Sequence, residues 1–134
     1  MSTSKYKSDA LAAKEKLKEI SPTFCLAKWN QVSLHLPTGL TNSCYHPPLH
    51  KIDADAVKLN PAALHNTAEK LDQRFKMLQG ERPDGCSYCW KIEDTGDMSD
   101  RHYRSGEPWA MQDFEAIKQN PMTTSWTPRY VEVN

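Results

Sequence analysis

Four cysteines, Cys25, Cys44, Cys86 and Cys89, constrain this chain more than any other feature. Cys86 and Cys89 are spaced C-x2-C just after Pro83 and Gly85, where a turn leads into a short helix. That spacing lets two thiolates face one ion, and the free N–H groups at a helix start offset thiolate charge. Cys25 and Cys44 flank a segment that reads as a β-hairpin. Val32, Leu34 and Leu36 alternate with polar residues and predict a half-buried strand over 31–36. Pro37-Thr38-Gly39 turns the chain, and a second strand is expected from Leu40 to Cys44. Cys25 and Cys44 then lie towards the outer ends of the two arms, which a hairpin brings together. Four soft ligands meeting tetrahedrally suit zinc or an iron–sulfur cluster. Structural zinc sites usually repeat a short C-x2–4-C pair on both sides; here one pair is short and the other wide, which leaves both metals open.

The rest of the chain makes such a cross-link useful. Of 134 residues, 38% are hydrophobic and nine are proline, and the mean hydropathy is −0.74. A core this lean is supplemented by metal binding, whose free energy becomes folding free energy. Seventeen basic and seventeen acidic residues balance to a net charge of zero, with no basic excess to suggest a nucleic-acid partner. No apolar run approaches the roughly 20 residues of a membrane span, and the N-terminus leads into a charged helix rather than an apolar signal segment. The expected location is the cytoplasm, whose reducing conditions favour metal binding or catalysis over disulfides.

A helix is expected over 8–20, with Leu11, Leu17 and Ile20 as its apolar stripe and Pro22 as its stop. Residues 45–51 read as a proline-stiffened loop and 53–58 as one helical turn. The clearest helix runs between Asn60 and Gly80: Asn60 can cap it, Pro61 suits its first position, Gly80 its exit, and Leu64, Ala68, Leu71, Phe75 and Leu78 share one face. Further helices are expected after Cys86, over Ser99–Arg104 as a turn, and over Pro108–Lys118, with Trp109, Phe114 and Ile117 available for burial. An irregular tail follows, and Tyr130–Val133 alternates like a strand. The fold class is α+β: a small β-hairpin packed with several short helices around a four-cysteine metal site.

The cysteine frame also resembles a known family. Cys25 to Cys44 reads C-x13-G-x4-C with Gly39 as the glycine, similar to the first half of the auxiliary-cluster motif of SPASM and twitch domains. Asn66-Thr67 and the run from Arg74 to Asp94 resemble the second half of a twitch domain, where a helix ends in Leu78-x-Gly80-Glu81-x-Pro83 and delivers Cys86-x2-Cys89 followed by the acidic pair Glu93-Asp94. Pro128 to Asn134 resembles the lead-in to the first strand of a radical S-adenosylmethionine (radical SAM) core. The resemblance implies a helical extension over 1–22, a twitch-like domain over 23–119 and a lead-in over 120–134. It implies one auxiliary [4Fe–4S] cluster held by Cys25, Cys44, Cys86 and Cys89, supporting electron transfer or substrate binding. The C-x3-C-x2-C of the SAM-cleaving cluster is missing from this chain, so S-adenosylmethionine would bind only in a separate core, from the same parent chain or a split partner. The substrate, a peptide or a small molecule, is not specified. The alternative of another class is a non-catalytic zinc-binding interaction module.

Other residues carry weaker signals. His46 and His50 follow Cys44 and could approach a cluster, but with four thiolates already completing a site a solvated loop is the favoured reading. His35 and His65 read as structural or exposed, and His102 lies in a polar run. Arg74, Arg82, Lys91, Arg101 and Arg104 surround the second cysteine pair in sequence and could stabilise an anionic centre. Tyr88 and Trp90 flank Cys89 and suit shielding or core. No catalytic triad, phosphate loop or paired-carboxylate site is present in the sequence.

Overall fold

Gln31–His35 (β1) is the strand on which the sheet is assembled. It turns back through Gly39, whose φ of 70° is readily reached only without a side chain, into antiparallel β2 (Leu40–Asn42). His50–Lys51 (β3) extends the sheet on the far side of β2, and Tyr130–Val133 (β4) pairs in parallel with β1, giving the order β3-β2-β1-β4. This computed structural model describes residues 5–44, 46–122 and 127–134. Residues 1–4, Tyr45 in the predicted loop and positions 123–126 in the predicted irregular tail lie outside the described residues.

The hairpin is therefore present, but as the centre of a four-stranded sheet. This changes the burial of β1. A half-buried strand would expose alternate residues, whereas Gln31 and Ser33 are as buried as Val32 and Leu34. With β2 on one side and β4 on the other, β1 is a central strand, and its polar residues are enclosed too. Cys25 does not lie on a hairpin arm. It caps a short helix, α2 (Leu26–Asn30), that runs directly into β1.

The N-terminal helix, α1, spans Lys5–Leu17 and buries Ala10, Ala13 and Leu17, while Leu11 is 47% exposed. The stripe is of smaller residues than expected because α1 lies close against α6 (Asp100–Ser105) and the residue after it, Gly106. A Cβ on Gly106 would stand 2.8 Å from the Asp9 carbonyl oxygen, a backbone atom with little room to yield. Gly106→Ala is expected to destabilise the protein by about 1–3 kcal/mol, the usual cost of overpacking. Thermal denaturation checks this, and an unchanged midpoint would show that the two helices can part freely.

The predicted helix between Asn60 and Gly80 is broken. Asn60 caps a 3-10 turn over Pro61–Leu64, and Thr67 then caps a separate helix, α4 (Ala68–Leu78). The expected apolar stripe is not the buried one: Phe75 is 51% exposed, and the buried residues of α4 are Lys70, Arg74 and Met77. The cause lies in α2. A helix of so few residues entering a strand without a turn leaves carbonyls at its C-terminal end without helical partners. Arg74 Nε donates to the Lys28 carbonyl at 3.0 Å, and Lys70 Nζ donates to the Gln31 carbonyl at 2.6 Å. Cations at a helix C-terminus also complement its dipole, so α4 turns its basic face inward.

The remaining helices are α3 (Ala54–Leu59), capped by Asp53, α5 (Ser87–Asp94), α7 (Pro108–Met111) and α8 (Phe114–Gln119). The single helix expected over Pro108–Lys118 is thus two, which bury Ala110, Phe114 and Ile117. These residues join Leu17, Phe24, Leu26, Trp29, Met77 and Trp90 in one apolar cluster, and Cys25, Cys86 and Cys89 belong to its edge. Among the described residues no helix is long and apolar enough to cross a membrane.

Candidate metal centre

Cys25 caps α2 in an extended conformation, and Cys44 follows the end of β2. Cys86 closes a 3-10 turn over Asp84–Cys86 and caps α5, which places Cys89 in the first turn of that helix. All four side chains line the same cavity, together with Lys28, Ser43, His46, Met77, Trp90, Asp100, Arg101 and Arg104. All four are free thiols; Cys25, Cys86 and Cys89 are buried and Cys44 is partly exposed. The Cys25 thiol is pushed up to about 12, first by burial and then by the neighbouring Cys44, Cys89 and Cys86, against the opposing pull of Lys28. Burial likewise raises Cys44, partly offset by Lys28 and by the backbone N–H of His46, and raises Cys89 to about 11. At neutral pH Cys25 and Cys89 therefore hold their protons, and binding of a thiophilic metal would release them and be favoured as pH rises.

The donor set is soft and suits thiophilic metals. Four thiolates around one zinc ion stand about 3.8 Å apart, from a Zn–S bond near 2.3 Å in a tetrahedron. Among the described residues, no three histidine, cysteine, aspartate or glutamate side chains form a group that could hold a metal ion. The four cysteines line one cavity without forming such a group.

The cavity wall is held by charge. Arg101 grips Glu93 through Nε at 2.9 Å and Nη2 at 2.6 Å and also donates to the Phe24 carbonyl at 2.9 Å. Burial raises the Glu93 carboxyl, but the Arg101 and Ser99 hydrogen bonds outweigh it and leave the pKa lowered. Asp94 pairs with Arg82 at the surface at 2.9 Å. The acidic pair after Cys89 therefore anchors two arginines and leaves neither carboxylate for acid–base work. At the cavity, His46 Nε2 lies 2.5 Å from Asp100 Oδ2, and the imidazole stacks on Tyr88 with ring centroids 3.6 Å apart. Trp90 is buried and donates from Nε1 to the Pro83 carbonyl at 2.9 Å.

Of the residues singled out in the sequence, His46, Trp90, Arg101 and Arg104 reach the cavity with the cysteines. His50 bonds Thr67 Oγ1 at 2.9 Å and His65 is a core residue bonded to the Trp29 carbonyl at 2.8 Å. His102 is buried, accepting the Ser99 N–H at 3.1 Å in a capping box, and Lys91 is exposed. Arg74 is buried on α4 and Arg82 lies at the surface; neither lines the cavity. Sequence reasoning missed Lys28, which lines the cavity and is 2% exposed. Its signal was a lone basic residue in the otherwise apolar run Phe24-Cys-Leu-Ala-Lys-Trp29.

The chain matches no protein-family model, no curated protein and no solved structure.

Proposed function

We propose that Cys25, Cys44, Cys86 and Cys89 hold a [4Fe–4S] cluster, and that the chain serves as an auxiliary cluster domain of a radical SAM enzyme. The observation that carries this reading is that four thiols from three parts of the chain line one largely buried cavity. The twitch-like motif frame supports the assignment to radical SAM chemistry. When bound, the cluster would supply an electron relay or a ligation site for substrate. The protein's own part is to place four thiolates on rigid elements, to exclude water with Trp90 and Met77, and to surround the centre with Lys28 and Arg101. The S-adenosylmethionine-cleaving site belongs to a core outside this chain, in the same parent polypeptide or in a partner.

Anaerobic reconstitution of the purified chain with iron and sulfide tests the reading. The expected product is brown, with about four irons and a matching amount of sulfide per chain. Colourless protein that retains a single zinc through purification would replace this reading with the zinc-binding interaction module.

A further inference from the structure

Lys28 is a buried basic residue at the cysteine cavity. Its side chain is enclosed at 2% exposure and lines the cysteine cavity. Nζ donates to Ser43 Oγ at 2.8 Å and to Gln73 Oε1 at 2.5 Å, two neutral acceptors. Behind it lie Lys70 and Arg74, also 2% and 1% exposed, whose acceptors are carbonyls, an amide oxygen and an imidazole. Among the described residues, no carboxylate lies within ion-pair distance of any of the three. A buried ammonium without a counter-ion is costly. The cavity that Lys28 lines is also lined by Cys25, Cys44, Cys86 and Cys89, thiols that become anionic when a metal displaces their protons.

We propose that Lys28 is the built-in counter-charge of the four-thiolate site, a positioning residue that makes an anionic centre the favoured occupant of the cavity and eases its reduction. The inference rests on the metal-binding reading above and deepens it. A metal centre with four thiolate ligands carries a net charge of about −2, whether the metal is zinc or a [4Fe–4S]2+ core. Lys28 meets that charge inside the protein, where low dielectric strengthens the interaction. An occupant that gains an electron gains more from the ammonium, so the charge raises the reduction potential.

The test is Lys28→Met in the full chain, with Lys28→Gln as a neutral polar replacement should the first fold poorly, and Lys28→Arg as the charge-retaining control. Two readouts are compared: the denaturation midpoint of metal-free protein, and the rate at which a chelator strips the loaded protein. Met is expected to raise or leave unchanged the metal-free midpoint while speeding metal loss at least tenfold, and Arg to keep loss near the wild-type rate. The midpoint potential of the reconstituted centre, followed by electron paramagnetic resonance, is expected to move negative in Met and Gln but not in Arg. A purely structural lysine would lower the stability of both forms and leave the potential in place, and that result would overturn the proposal. Wild-type protein that loads iron while the variants behave this way defeats the role of Lys28 alone. Wild-type protein that takes up no metal defeats the metal-binding reading and this inference with it. A rise in metal-free stability together with faster zinc loss in Lys28→Met would retain Lys28 as the counter-charge and overturn both the iron–sulfur assignment and the effect on reduction.

Discussion

On the proposed four-cysteine ligation, Cys86→Ala is expected to abolish nearly all metal uptake and to lower the thermal midpoint by roughly 10 °C or more. Cys86 is 8% exposed, closes the turn over Asp84–Cys86 and caps α5. Its backbone N–H already bonds the Pro83 carbonyl at 3.0 Å, so alanine leaves the turn intact and removes only the sulfur. The effect therefore reports ligation. Structural metal binding contributes about 10–16 kcal/mol in small zinc domains, as much as the 5–15 kcal/mol that typically separates a whole domain from its unfolded state. On the proposed ligation, a chain with a lean core would lose a cross-link between α2, β2 and α5 when one ligand goes. Metal analysis and calorimetry on the same preparation measure both effects. Ser87→Ala, one position along at an exposed site, should change stability by no more than about 0.5 kcal/mol. Full metal content and unchanged melting in Cys86→Ala would remove this residue from the ligand set.

The second large effect is expected at Trp29. Its side chain is fully enclosed, 4.5 Å from the Phe24 ring centroid, with the Arg74 guanidinium 5.5 Å from its ring. Nε1 donates to the Pro121 carbonyl at 2.8 Å. Trp29→Ala is expected to cost about 3–5 kcal/mol, the range for deleting a large buried aromatic, and it uncovers the Arg74 face as well. Trp29→Phe should recover much of the packing but not the bond to Pro121. Urea titrations of the two variants give the comparison, and a loss below about 1 kcal/mol for alanine would mean that the site collapses around the vacancy.

How legible all this was in the amino-acid order depends on what each pattern reports. The hairpin was readable because alternation and a positive-φ glycine are local signals, and the turn before Cys86 was readable for the same reason. The cysteine grouping was readable from count and spacing, and the four do share one cavity. The inward face of α4 was not. Leu64, Ala68, Leu71, Phe75 and Leu78 make a good apolar stripe, yet the carbonyls at the end of α2 demand donors, and Lys70 and Arg74 are long enough to supply them. Nothing local announces that demand, because α2 is only a few residues long and lies far away in sequence. Lys28 was missed for a related reason: a single cation in an apolar run means little until the groups around it are known. The pairing of β4 with β1 was equally hidden, since alternation over Tyr130–Val133 identifies a strand without naming its neighbour.

That pairing bears on how quickly the protein can reach its native state. β1 joins β2 almost at once through a tight turn, but its other edge receives β4 only after Gln31 finds Tyr130 across most of the chain. Contacts of such long sequence separation slow folding, because loop closure precedes any reward from pairing. During synthesis the unpaired edge of β1 stays open until β4 emerges, and open edges of this kind invite association with other chains. The buried polar residues Gln31 and Ser33 on that strand make it a poorer template for such association than an all-apolar strand would be.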